Sequence, residues 1–210
     1  MTAIVLIAKQ PVPGKVKTRL HPPLSLQQAA LIAAAAIDDT LSALAAVPAS
    51  RRVLLFDGVT PPAAAAGYEL VPQTAGPLDE RLAAIFDELD EPMVLVGMDT
   101  PQLTAHDLAP AFEPEFGAVD AWFGPATDGG FWALGMRSPR GDLIRGVAMS
   151  QDDTGIRQRA RLEAAGLRVG TLPTLTDVDT IDSAREVAAA APLSRFGRLL
   201  GSLDDAAPHG

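Results

Sequence analysis

Apolar positions along this chain come in two alternating textures. Short, nearly continuous apolar runs occur at Ala3–Ala8, Arg52–Phe56, Tyr68–Pro72, Met93–Gly97, Val119–Gly124, Phe131–Gly135 and Leu167–Leu172. Runs of that length predict strands covered on both faces of a mainly parallel sheet. Between them lie alanine-rich stretches with helical ends. Ser25 to Ala46 opens on Ser25-x-x-Gln28, a capping-box pattern in which side chains and backbone satisfy each other's end groups. Pro77 to Leu89 has proline near its first turn, with Asp79 and Glu80 beside the positive end of the helix dipole. Thr104 and Ser150 are expected caps, and Gly166 is expected to stop a helix over Thr154–Ala165. A last helix is predicted over Ile181 to Ala191, followed by Pro192 and a polar tail expected to fray.

Strands alternating with helices predict a layered α/β fold around a central sheet. The 210 residues fit a single domain over 1–192 with a C-terminal tail at 193–210. The alanine run at 63–66, next to Pro61 and Pro62, is expected to be a surface loop. Ligands of such folds lie beyond the carboxyl ends of the strands, so residues that directly follow strands are the ones to inspect. The first strand leads into Lys9 to Leu20 and the fourth into Asp99-Thr100-Pro101. The fifth leads into Thr127-Asp128-Gly129-Gly130, and the seventh into Asp177-Val178-Asp179.

Composition narrows the chemistry. A hydrophobic content of 48% with 20% charged residues excludes a disordered chain. The absence of cysteine removes disulfides, thiolate zinc sites and cysteine nucleophiles. His21, His106 and His209 lack the spacing of a metal site. A net charge of −9 makes nucleic acid a poor partner. The sequence suggests neither a membrane span, which takes ~20 apolar residues, nor a signal peptide, and a cytoplasmic location is expected.

Against this acidic background, Lys9, Lys15, Lys17 and Arg19 place four of the 17 basic residues within positions 9 to 19, with no acid among them. Gly14 permits close approach, and Pro11 and Pro13 stiffen the loop and lower the ordering cost of binding. Arg19 can fork across two phosphate oxygens, while the lysines act as compact charges. A solvated basic turn is the plainer alternative. Neither a Walker loop nor a dinucleotide fingerprint is present.

Asp99 ends a buried strand, where a carboxylate is costly unless paired, hydrogen-bonded or metal-bound. Its hard oxygens suit Mg²⁺ or Mn²⁺, and magnesium commonly takes one or two protein carboxylates plus substrate phosphates. Asp177 and Asp179, two apart on an extended segment, share a face. Asp179 could equally cap the last helix, and the residues do not choose which of the two binds metal. Asp128-Gly129-Gly130 reads either as a hairpin turn or as backbone open to a ligand. Arg81 could pair with Glu80 or Asp87 on a helix surface, and Trp132 is expected to pack.

Gly14-Lys15-Val16-Lys17-Thr18-Arg19-Leu20 after an N-terminal strand resembles a bacterial family of GT-A-type, glycosyltransferase-like transferases. These are related to 2-phospho-L-lactate guanylyltransferase. Four more segments fit the resemblance in order: Gln73 to Leu82, Gly97-Met98-Asp99-Thr100-Pro101, Thr127 to Trp132, and Asp177-Val178-Asp179-Thr180. It implies a three-layer GT-A-like (nucleotide-diphospho-sugar transferase) fold with a mainly parallel central sheet. It also implies nucleotide contacts at Lys9, Gly14, Lys15, Lys17, Thr18, Arg19, Gln73 and Gly76, and an acceptor at Thr127, Asp128, Gly129 and Gly130. The metal would sit on Asp99 with Asp177 or Asp179, and Lys17, Arg19 and Asp99 would carry catalysis. Gly76-Pro77 departs from the more flexible glycine pair expected there. The implied activity is metal-dependent transfer of a nucleoside monophosphate from a triphosphate to a small, phosphorylated or unphosphorylated acceptor, releasing pyrophosphate. Glycosyl transfer from a nucleotide-sugar and non-catalytic nucleotide sensing are the alternatives.

Overall fold

A computed structural model describes residues 1–114 and 118–205. Its strands are β1 (Ala3–Lys9), β2 (Arg52–Asp57), β3 (Glu69–Pro72), β4 (Met93–Gly97), β5 (Ala121–Pro125), β6 (Phe131–Met136) and β7 (Val169–Thr171). They form one sheet in the order β3-β2-β1-β4-β6-β5-β7. Only β6 runs against its neighbours, β4 and β5, and every other pairing is parallel. The helices are α1 (Leu26–Ala45), α2 (Leu78–Glu88), α3 (Ala105–Leu108), α4 (Thr154–Ala164), α5 (Ile181–Ala190) and α6 (Arg195–Asp205).

Alternate side chains of each strand feed opposite cores, as pleating requires. Ile4, Leu6 and Ala8 of β1 pack with Ile37, Leu41 and Leu44 of α1 on one face. Ala3 and Val5 pack with Leu82, Ile85 and Phe86 of α2 and Leu162 of α4 on the other. The result is three layers, helix on sheet on helix. A further cluster joins the outer side of α1 to Leu20, Val178, Ala184 of α5, and Phe196 and Leu200 of α6.

Covering α1 from two sides explains its composition. Contrary to the expectation of no such stretch, α1 is by length and apolarity able to cross a membrane, yet half of it is buried inside the protein. Its polar positions Asp38 and Ser42 face outward, and Asp39 accepts hydrogen bonds from the backbone N–H groups of Arg195 and Phe196. The expected capping box is present, with Gln28 N donating to Ser25 Oγ at 3.1 Å and Ser25 N to Gln28 Oε1 at 2.7 Å.

Three local expectations change. Ser150 does not cap α4; it adopts a left-handed backbone (φ 58°), and Asp153 stands at the helix start. Asp179 does not cap α5, because Thr180 does so in a box with Ser183. Arg195–Asp205, expected in a fraying tail, is helical, with Phe196, Leu199, Leu200 and Leu203 turned onto α1 and α5. Residues 206–210 lie outside the described residues. The alanine loop at 63–66 contains a 3₁₀ turn whose Ala64 and Ala65 pack on the core.

Strand order supplies the site's location. From β1 the chain builds outward through β2 to β3, then returns across β1 to place β4 on its other side. Loops leaving the carboxyl ends of β1 and β4 therefore diverge and open a crevice between them.

Candidate functional site

The basic loop is held by two apolar pins four residues apart. Val16 is buried against Ala30 and Ala33 of α1 and against Met98, and Leu20 is fully buried in the cluster under α1, α5 and α6. Lys15, Lys17 and Arg19 lie between and beside these pins and line a cleft of about 470 Å³, within the range of small-molecule sites. The segment after β7 uses the same device. Val178 is fully buried in Leu20's cluster, and its neighbours Asp177 and Asp179 line the cleft. A backbone bond from Val178 N to Asp99 O, 2.8 Å, ties this segment to the end of β4. Residues some 160 apart in sequence thus share one edge.

Two ion pairs cross this edge. Lys17 Nζ lies 2.5 Å from Asp99 Oδ1, with the lysine side chain 9% exposed, and it also donates to Val178 O. Arg19 pairs with Asp179. Asp177, half-buried, has no such cation to itself. Its carboxyl is pushed above its ordinary value by burial and then by the negative charges of Asp128 and Asp99, with Lys17 and a backbone hydrogen bond opposing.

The remaining expected residues divide. Lys9, Thr18, Gln73, Asp128 and Gly130 line the cleft, and Thr127 lines an adjoining depression shared with Asp99, Asp128 and Asp177. Lys9 Nζ stands 4.0 Å from Asp57. Gly14 (φ 77°) and Gly76 (φ 121°) adopt left-handed backbone and are not among the residues lining the cleft. Gln73 is committed to the scaffold, with Nε2 donating to Ala8 O at 2.8 Å and Leu55 O at 3.2 Å.

Gly129 is closely approached by another part of the chain. A Cβ there would fall 1.9 Å from Asp152 O, and Gly155 N donates to Gly129 O at 2.8 Å. The close approach is made by the start of α4. Asp128 Oδ1 accepts from Gly130 N at 2.7 Å, shaping the β5–β6 hairpin. Trp132 is 3% exposed, and its indole N–H donates to Pro173 O at 2.9 Å.

Polar wall residues outside the expected site include Arg81, Thr100, Ser150, Gln151 and Thr154. Arg81 leaves Glu80 and Asp87 to Arg145 and donates instead to Gln73 Oε1 at 2.8 Å. Two residues off a helix cap and a glutamine eight positions upstream are weak signals. Only the tertiary placement of Gln73 reveals which way Arg81 turns.

Among the described residues, no three histidine, cysteine, aspartate or glutamate side chains converge as a metal-ligand set. A hard divalent cation needs fewer, since one or two carboxylates with phosphate oxygens suffice. Asp99 and Asp177 fit that requirement. Both are oxygen donors on the cleft wall, and the negative charge of Asp99 acts on Asp177.

Residues 31–151, from α1 to the loop before α4, match a family model described as uncharacterized protein conserved in bacteria (DUF2064). The chain belongs to the DUF2064 family. The matched stretch holds the Gln73–Arg81 segment, Asp99 and the Asp128 hairpin, while the basic loop and Asp177–Asp179 lie outside it. No curated protein matches this DUF2064 chain. Among solved structures, it is similar to a protein from Desulfovibrio desulfuricans G20 provisionally named a nucleotide-diphospho-sugar transferase. The two are 26% identical with a TM-score of 0.85, over 97% of this chain and 95% of that one. A cytidylyltransferase from Leptospira borgpetersenii superposes with a TM-score of 0.57 at 13% identity, over 97% and 94% of the two chains. For a 4-diphosphocytidyl-2C-methyl-D-erythritol synthase the values are 0.54 and 9%, over 90% and 97%. These last two share the fold alone. The DUF2064 chain thus has the GT-A-like, nucleotide-diphospho-sugar transferase fold that its motifs implied.

Proposed function

We propose that this protein is a metal-dependent nucleotidyltransferase that moves a nucleoside monophosphate from a triphosphate to a small acceptor. The observation that carries the reading is the shared edge. Cations from the loop after β1 meet carboxylates from the ends of β4 and β7 where the strand order reverses. Anionic polyphosphate suits Lys9, Lys15, Lys17 and Arg19, and four cations match three phosphates with a pyrophosphate leaving group. Asp99 with Asp177 or Asp179 would hold Mg²⁺ or Mn²⁺, with Lys17 and Arg19, which pair with Asp99 and Asp179, turning to the donor's phosphates. A divalent cation bound there would neutralise phosphate oxygens as a Lewis acid.

The protein's own part is positioning and electrostatics. Lys17 and Arg19 orient the β- and γ-phosphates, so that an acceptor oxygen attacks the α-phosphorus opposite the leaving group. The bond from the α-phosphorus to the bridging oxygen breaks, and that oxygen leaves with the pyrophosphate. The acceptor enters from the side of the β5–β6 hairpin, beside Asp128 and Gly130. The likeness to the Desulfovibrio protein favours one second reading, a nucleotide-sugar donor with release of nucleoside diphosphate.

Incubation with Mg²⁺, a panel of nucleoside triphosphates and nucleotide-sugars, and mixed small acceptors separates the two. Pyrophosphate release supports nucleotidyl transfer, and nucleoside diphosphate released from nucleotide-sugars supports glycosyl transfer. Tight nucleotide binding with neither product, across all acceptors, would indicate a sensor.

A further inference from the structure

The cleft is not uniformly polar. The basic loop packs on the α1 side of the sheet through Val16 and Leu20. The cleft continues over the carboxyl edge to the α2 side, where Ile7, Leu78, Leu82, Leu95, Phe131 and Met149 line it. One charged group stands in this apolar wall, the half-buried guanidinium of Arg81. Its Nε is buried with no hydrogen-bond partner, and Nη1 donates to a neutral amide oxygen, Gln73 Oε1. Among the described residues Arg81 has no carboxylate partner. Three of the four acids on its own helix are engaged elsewhere: Glu80 and Asp87 pair with Arg145 at 2.9 and 2.6 Å, and Asp79 accepts from Gly146 N at 2.8 Å; the fourth, Glu88, sits at the far end of the helix, where its charge acts on Arg51.

A cation among apolar side chains without a counter-ion is unfavourable unless an anion joins it. Gln73 aims this cation: Nε2 is bonded to the ends of β1 and β2, which directs Oε1 at Arg81. We propose that Arg81 is the anion-recognising residue of the acceptor subsite. The acceptor is accordingly a small molecule with an apolar body that carries a carboxylate or a phosphate. This rests on the nucleotidyl-transfer reading of the same cleft. A nucleobase edge would offer only neutral acceptor atoms to a full positive charge, whereas a carboxylate or phosphate takes the guanidinium fork in two charge-assisted bonds. The donor's phosphates occupy the other, charged part of the cleft, so Arg81 also sets which end of the acceptor approaches the reacting phosphate.

The test titrates hexanoate, butyl phosphate and hexanamide into the full-length wild-type protein, Arg81→Gln and Arg81→Lys, followed by NMR. GTP·Mg²⁺ and CTP·Mg²⁺ affinities are measured on the same samples. Wild type is expected to bind hexanoate or butyl phosphate at least about tenfold more tightly than hexanamide, and the better of the two identifies the anion. Arg81→Gln should erase that preference, and Arg81→Lys should restore part of it. Equal binding of hexanoate and hexanamide by wild type overturns the proposal without recourse to any variant. So does wild type that binds nucleotide but neither anion, or Arg81→Gln that alters affinity for one base and not the other. Should wild type bind the anions through Arg81 but no nucleotide, the anion site stands and the nucleotidyl-transfer reading falls.

Discussion

Charge at the cleft is balanced residue by residue, and Asp177 is where the balance fails. Lys17 lies against Asp99 and Arg19 against Asp179, leaving Asp177 to face Asp128 and Asp99 with a raised pKa. A carboxyl whose folded pKa exceeds its ordinary value of 3.8 favours folding most below that value. The advantage is lost as pH rises through the folded pKa, so ionised Asp177 opposes folding at neutral pH. Asp177→Asn should therefore melt higher than wild type near pH 7 without added metal, and the gap should close below about pH 4. The same variant should lose any stabilisation that Mg²⁺ confers. Melting curves across that pH range, with and without Mg²⁺, check both statements; a variant less stable than wild type at neutral pH would contradict the first. At this scale the sequence indicated which residue types belong at the edge, but not their partners. Glu80 beside Arg81 in the chain suggests a pair, yet a helix turns adjacent residues about 100° apart, and Arg145 takes the acid instead.

At the scale of elements, buried apolar residues aim the charged ones. Leu20 and Val178 share a cluster, so loosening one should disturb the cations and carboxylates together. Leu20→Ala is expected to cost about 2–4 kcal/mol and to weaken nucleotide binding. Ile37→Ala, equally buried in the core between α1 and the sheet, should cost a similar amount and leave nucleotide affinity unchanged. Denaturant unfolding paired with calorimetry separates the two; equal affinity losses in both variants would mean the pin acts through global stability alone. The far edge of the sheet offers an independent check. Arg168 holds Asp120 through Nε and Nη2 at 2.9 and 3.1 Å, depressing the Asp120 carboxyl to about 2. A depressed carboxyl contributes stability above its ordinary value of 3.8 that is lost as pH falls through about 2. In Arg168→Ala, NMR titration should find Asp120 returning toward its ordinary range. A carboxyl that still titrates near 2 would assign the shift to another group.

Most elements were legible because their patterns are local. Continuous apolar runs marked β1, β2 and β4 at or within a residue of their bounds, and the Ser25 box marked the start of α1. The signal for α6 was present too, since Phe196, Leu199, Leu200 and Leu203 fall at i, i+3, i+4 and i+7. Pro192 and the polar residues around that stripe made it read as a tail. Gly129 was legible as special from the Asp-Gly-Gly sequence, but its neighbour was not. Its missing side chain admits Asp152 of the segment before α4, a contact with no local signature.

For the whole molecule, what matters is topology. Reversal of strand order between β1 and β4 opens the crevice, and parallel β1, β4, β5 and β7 deliver their following loops to the same edge. The sheet then divides the cleft into a charged part on the α1 side and an apolar part with Arg81 on the α2 side. That division is what a transferase needs if it is to hold a polyphosphate donor and a second molecule at once. The central claim is that metal and phosphates meet where the loop after β1 faces the ends of β4 and β7. Paramagnetic broadening of backbone amides by Mn²⁺ in the presence of a nucleoside triphosphate tests it most directly. Selective broadening is expected at Asp99, Asp177 to Asp179 and Lys15 to Arg19. Broadening confined to other surfaces, with those amides unaffected, would contradict it.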